Sequence, residues 1–346
     1  MRPRHLADDD VFACLVARVR LAPCRRGRPR WGIHVIASTR PTFWSSLKAT
    51  IARRPAAAFL VFFYVTGWLF FVPPLLGASG FGFFAYDLPP QPSILVLTFV
   101  GLAGGAFLVT RIADGKEGVR ELRSRYFTWR TGPQWYLLAL FGAPLLLLVG
   151  AAVVQGPSTL GAFGANLPQF LPNYAVQVVL IAVLISLWEE TGWMAFLTAR
   201  WQKRFGPVMA SLMVAPLFGL GHFPLLFLAG GLTDSGRLTA PEVPEYIFYL
   251  LVLFAVPVRL ILTWVFNSTG GSLPLVALLH ASFDVTASAA ILTGFYPGLD
   301  GRLLYFGLAI VAIGVLVITR GRLGYHQPTQ AAQPVVLPVP APVPLS

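Results

Sequence analysis

A few ionisable side chains fall inside long apolar runs of this sequence, and their types suit hydrolysis. Glu189 and Glu190 stand side by side in 186-SLWEETGWMAFL-197. His222 closes 218-FGLGH-222, Arg259 lies in 255-AVPVRLILTW-264, and His280 and Asp284 bracket 280-HASFD-284. A carboxylate can take a proton from water, and an imidazole can shuttle protons or stabilise developing charge. Two His with one or two carboxylates also suit a zinc ion that keeps an open position for water. Both chemistries are open at this level.

Each such group costs about 2.5–3.5 kcal/mol at the centre of a membrane-spanning helix, so the default is that they face one another or a water-filled cavity. His280 and Asp284 are four residues apart and share one helix face. Adjacent Glu189 and Glu190 point about 100° apart, so one can enter a site while the other braces the helix. Blander readings stand beside these. His222 can hydrogen-bond a carbonyl, Asp284 can be a packing polar group, and Arg259 can snorkel to the surface. Trp193, Trp264 and Phe218 read as packing or interfacial aromatics.

The elements that must position these groups are membrane helices. Of 346 residues, 56% are hydrophobic and 12% charged, against about 25% charged in a soluble domain. Runs of about 20 apolar residues match a hydrocarbon core about 30 Å thick. The expected fold is therefore all-α and polytopic, with about eight spans near 56–77, 93–112, 135–155, 174–198, 207–230, 245–266, 272–292 and 302–319. Backbone in lipid must satisfy its own hydrogen bonds, which excludes open strands there.

Lys and Arg fall in alternate connections: Arg53 and Arg54; Arg111 to Arg130; Arg200, Lys203 and Arg204; Arg320 and Arg322. With eight spans these share one side, and the positive-inside rule places both termini in the cytoplasm of a multi-pass cell-membrane protein. The net charge of +12 is accounted for by these loops, and no nucleic-acid motif accompanies it. The loop 114-DGKEGVRELRSRYFTW-129 sets Val119, Leu122, Tyr126 and Trp129 at helical spacing among basic residues. That predicts an amphipathic helix on an anionic lipid surface. Residues 1–55 read as a basic cytoplasmic extension without a spanning run or cleavage site, 56–322 as the membrane domain, and 323–346 as a Pro-rich disordered tail. Cys14 and Cys24 match no metal or disulfide pattern. No internal repeat is visible, which counts against an inverted-repeat, proton-coupled transporter.

Taken together, 189-EETGWM-194, 218-FGLGH-222 and 280-HASFD-284 resemble the three signatures EExxxR, FxxxH and HxxxN or HxxxD of the CPBP family, also called ABI or CAAX proteases, which includes the type 2 CAAX prenyl endopeptidases. The flanking runs 205-FGPVMASLMV-214 and 264-WVFNSTGGSLPLVALLHASFD-284 extend the likeness over about residues 56–320. The resemblance implies an intramembrane endopeptidase acting on a protein or peptide. Glu189 is then the general base, and His222 assists it or binds metal. His280 and Asp284 complete either a metal site, with His222 and Glu189, or an oxyanion-stabilising pair. An ionised Asp284 cannot donate to an oxyanion as Asn could, which favours metal binding or orientation of His280. The pattern departs at 194, where Met stands in place of Arg, and at Ala195 in place of Gly. Met194 leaves Glu190 without a counter-charge on its own helix, and Arg259, at similar depth, is expected to supply part of it. The competing expectation is a catalytically silent relative acting as a membrane scaffold or immunity factor.

Overall fold

The computed structural model describes residues 42–228 and 241–326, and every described regular element is helical. Expectations for residues 1–41 and for the Pro-rich segment from 327 lie outside the described residues. The chain divides at Thr50 into two units. Of the first, the described part is the start of helix α1 (Phe43–Arg53). All candidate site residues lie in the second.

Six helices of that second unit are long and apolar enough to cross a membrane: α2 (Pro55–Leu75), α3 (Gln91–Ala113), α5 (Pro133–Gln155), α6 (Ser158–Phe205), α7 (Pro207–Phe227) and α8 (Glu242–Ser268). Two shorter apolar helices, α9 (Leu273–Thr286, 14 residues) and α11 (Arg302–Ile318, 17 residues), occupy the places of the seventh and eighth expected spans. Helix α4 (Gly115–Ser124) lies in the basic loop, and α10 (Ala289–Phe295) follows α9. The protein is an all-α polytopic membrane protein. At 1.5 Å per residue α9 and α11 reach only about 21 and 26 Å, less than a full hydrocarbon core.

Three elements differ from the hydropathy reading. Helix α6 runs for 48 residues and absorbs most of 156–173, which reads as a loop. Gly156, at φ +95°, and Pro157 punctuate the chain before it, and the polar residues that follow do not break it. Helix α7 changes character at Gly221: His222 caps the α-helix and Phe223–Phe227 form a tighter 3₁₀ stretch. Pro224 has no N–H to continue the ladder. Helix α9 stops at Thr286 because Ser288 turns to extended backbone and its hydroxyl donates to the Val285 carbonyl at 2.7 Å.

The basic segments gather at one end of the bundle. Arg200 pairs with Asp114. Ser272 Oγ donates to the Thr128 carbonyl at 2.6 Å, and Asn267 Nδ2 to the Leu323 carbonyl at 3.1 Å. In the amphipathic loop Leu122 is buried, Tyr126 half-buried and Trp129 exposed. At the other end Arg302 pairs with Glu245 across α8 and α11. Two apolar clusters fill the interior. One holds Phe59, Phe63, Trp193 and Phe218; the other holds Met194, Ile261, Leu262 and Leu279. The ionisable groups lie along the seam between them.

Gly192 explains how α6 approaches α2 and α3. A Cβ there would stand 2.9 Å from Leu102 Cδ2 and 2.9 Å from Phe59 Cζ, inside van der Waals contact. Overpacking of this kind costs about 1–3 kcal/mol. Gly192→Ala is therefore expected to lower thermal unfolding in detergent by that amount, and Leu102→Ala in the same chain to recover part of it.

Candidate active site

Helix α6 carries both carboxylates between two π-helical stretches, Ala182–Ser186 and Thr191–Thr198. Such widened turns concentrate at functional sites because they re-aim side chains that regular α geometry would spread around the helix. Thr198 Oγ1 fills one widened turn, donating to the Trp193 carbonyl five residues back at 2.8 Å. Both Glu residues are consequently interior, Glu189 at 4% exposure and Glu190 fully buried.

Glu190 is held by two basic side chains from two other helices. Arg259 of α8, itself fully buried, donates from Nη2 to Glu190 Oε1 at 2.6 Å. His280 of α9 places Nδ1 at 2.7 Å from the same oxygen. The Arg259 guanidinium also lies 4.8 Å from the centre of the Phe218 ring on α7, a cation–π contact that strengthens where water is excluded. Arg259 thus does not snorkel. It supplies the charge that position 194 lacks. Met194 is fully buried, with Sδ 3.9 Å from Thr263 Oγ1, and Thr263 lies one turn beyond Arg259 on the same face of α8.

Glu189 is free of this pairing. It lies within electrostatic range of His280, Glu190 and Arg259, and its Oε2 has no hydrogen-bond partner among the described residues. His280 sits between carboxylates, with Nε2 3.6 Å from Asp284 Oδ2. Asp284 is the more open member, its side chain 36% exposed against 2% for His280. His222, half-buried at the end of α7, keeps Nδ1 2.9 Å from the Phe218 carbonyl and lies within electrostatic range of Asp284 and His280. The structure brings Glu189, Glu190, His222, His280 and Asp284 to one region.

Four helices therefore meet at one constellation with distinct tasks available. A carboxylate without a cation partner can take a proton, and imidazoles beside it can donate one or face an oxyanion. Zinc fits less well. Its ligands must surround one point at about 2.0–2.2 Å, and no group of three or more His, Cys, Asp or Glu among the described residues is arranged to hold a metal ion. One nitrogen of each imidazole is engaged elsewhere, by Glu190 and by the Phe218 carbonyl. Glu189, His222, His280 and Asp284 are therefore not preassembled around one point as a ligand cage would be.

Two supports escape the motif reading. Tyr174 Oη is 2.6 Å from both the Leu140 carbonyl and Ser282 Oγ, fixing α9 against α5 and α6 close to His280. Tyr126 shares a hydroxyl–hydroxyl hydrogen bond with Thr191, next to Glu190. A Tyr or Thr within an apolar run is the available signal, and it names no partner.

Residues 171–286, which include every residue of the constellation, match the family model described as type II CAAX prenyl endopeptidase Rce1-like. The chain is also 22% identical over 274 residues to a CAAX prenyl protease 2 of Methanococcus maripaludis, covering 76% of this chain and 93% of that relative.

The ion pair makes a direct prediction. Removing one partner of a buried pair costs about 3–5 kcal/mol because the other charge is left uncompensated. Arg259→Met is expected to destabilise by that amount in detergent unfolding. Arg259→Met with Glu190→Gln should cost clearly less than the two single changes added together, the coupling expected of groups in contact.

Proposed function

Because this chain is a relative of the CPBP, or CAAX-protease, family, we propose that it is an intramembrane endopeptidase that hydrolyses peptide bonds with water activated by Glu189. The observation that carries the reading is the division between the two carboxylates. Glu190 is consumed by Arg259 and His280, and Glu189 beside them has no such partner among the described residues.

The proposed reaction balances without an external reagent. Glu189 takes a proton from water as the oxygen attacks the scissile carbonyl carbon. The carbonyl oxygen becomes an oxyanion, faced by the protonated Nε2 of His222, whose Nδ1 is held on the Phe218 carbonyl. The C–N bond then breaks, and the proton passes from Glu189 to the departing amine nitrogen. Asp284 orients His280 through Nε2, while Glu190, itself held by Arg259, fixes its other nitrogen. General acid–base catalysis of this kind contributes typically 10²–10⁴-fold.

The test is cleavage of a quenched-fluorescent peptide pool by purified protein reconstituted in vesicles. Glu189→Ala and His280→Ala are each expected to reduce the rate at least about a hundredfold. Equal rates in wild type and both variants would remove the protease reading and leave the silent-relative alternative. Activity that survives a chelator supports the metal-free route, and loss with the chelator alone would return zinc to the site.

A further inference from the structure

The two carboxylates of α6 stand on a short piece of regular helix. Leu187–Glu190 is a single α-helical turn between the two π-helical stretches, and one turn is costly to hold without help from its surroundings. Its orientation sets where Glu189 points relative to His280. Trp188 and Thr191 flank the two Glu, and both are anchored within α6. Trp188 Nε1 donates to the Val183 carbonyl at 2.8 Å, and the Thr191 hydroxyl donates to the Leu187 carbonyl at 2.8 Å.

One residue from outside the helix meets both flanks. The Tyr126 ring lies 6.0 Å from the Trp188 ring, and the Tyr126 hydroxyl is hydrogen-bonded to the Thr191 hydroxyl. Thr191 has one hydroxyl proton and the Leu187 carbonyl takes it, so Tyr126 is the donor between the two hydroxyls. The chain from Tyr126 through Thr191 to Leu187 thus ties the end of the turn to its first residue. Phe107 of α3 stacks on the Tyr126 ring at 6.2 Å and steadies the phenol.

The neighbours of Tyr126 are tied to two more helices of the site. The Arg125 guanidinium lies 5.1 Å from the centre of the Phe266 ring on α8, with Nη1 in the space that a Cβ on Gly271 would take. The Thr128 carbonyl accepts from Ser272 Oγ at 2.6 Å, and Ser272 caps α9 by accepting from the Leu275 N–H. Arg125, Tyr126 and Thr128 therefore reach, in turn, the helices that carry Arg259, the Glu pair, and His280 with Asp284.

We propose that Tyr126 is a positioning residue for the reaction: through Thr191 it fixes the Leu187–Glu190 turn and so holds Glu189 where it can take a proton from water. Tyr126 touches none of the reacting groups and acts only through the turn. Misplacing a reacting group by about 1 Å can cost about a hundredfold in rate. The effect on rate rests on the protease reading above. The tie between Tyr126 and the turn does not.

The test uses the full chain in vesicles and one cleaved peptide taken from the pool. Tyr126→Phe keeps the ring and removes the hydroxyl; Thr191→Val keeps the shape and removes the acceptor. Tyr136→Phe is the control, because its hydroxyl donates to the Trp129 carbonyl of the same segment at 2.6 Å and takes no part in the chain to Leu187. Tyr126→Phe and Thr191→Val are each expected to lower kcat by about tenfold to a hundredfold at unchanged KM. Their combination should lose no more than either alone, and Thr191→Ser, which keeps the hydroxyl, should recover most of the loss. The unfolding temperature of Tyr126→Phe should fall no further than that of Tyr136→Phe. Wild-type kcat in Tyr126→Phe overturns the proposal, as does an equal loss in Tyr136→Phe or a loss of kcat that follows the unfolding temperature. Amide hydrogen exchange gives a readout independent of cleavage. Tyr126→Phe should speed exchange in 187–198 about fivefold, the loss of one hydrogen bond, and leave 302–318 unchanged. Unchanged exchange in 187–198 removes the tie. If the wild-type chain cleaves no peptide, the protease reading falls, and the exchange result alone decides whether Tyr126 holds the turn.

Discussion

The buried contact of Arg259 with Glu190, shared by His280, is the constraint around which this bundle is arranged. An isolated charge in a low-dielectric interior is untenable, so a carboxylate at Glu190 requires cations with good geometry. Its own helix offers none, because the next turn carries the uncharged Met194, fully buried against Thr263. The partners come instead from α8 and α9, a guanidinium and an imidazole, and the Phe218 ring of α7 covers the guanidinium. Four helices are thereby bound to one oxygen atom and its neighbours. Displacement of any of them strands a charge, which makes the packing of apolar surfaces in two separate clusters a single cooperative matter.

This constraint also separates two residues that look equivalent. Glu189 and Glu190 are adjacent, identical and both interior, yet among the described residues only Glu190 has basic side chains in direct contact. The π-helical stretches on either side hold both inside rather than letting one turn to lipid. The pair can then divide labour, one carboxylate maintaining the architecture and orienting His280, the other remaining available to a proton. The increasing exposure from Glu190 through Glu189 to His222 and Asp284 gives the constellation a closed end and an open end.

Much of this was legible in the residues alone. The cost of ionisable groups in apolar runs singles out Glu189, Glu190, His222, Arg259, His280 and Asp284 without any fold. The i, i+4 spacing aligns the last two, and the gap at Met194 points to Arg259. What escapes is whatever hydropathy averages away. The extension of α6 back to Ser158 is silent because polar residues in a helix at the membrane border resemble a loop. The ends of α7 and α9 depend on Pro224 and on the Ser288 backbone, single-residue effects inside runs that read as continuous. The Tyr174–Ser282 and Tyr126–Thr191 contacts join residues far apart in sequence, and no local spacing announces a partner on another helix. Ligand choice escapes as well, since His, His, Glu and Asp suit a zinc site and an acid–base set alike.

The central claim is that Glu189 reacts and Glu190 holds the structure. Glu189→Gln and Glu190→Gln, compared in parallel for peptide cleavage in vesicles and thermal unfolding in detergent, test it most directly. The account predicts that Glu189→Gln abolishes cleavage at an unchanged unfolding temperature, and that Glu190→Gln lowers the unfolding temperature together with cleavage. Wild-type cleavage by Glu189→Gln, or a loss of stability confined to Glu189→Gln, would contradict it.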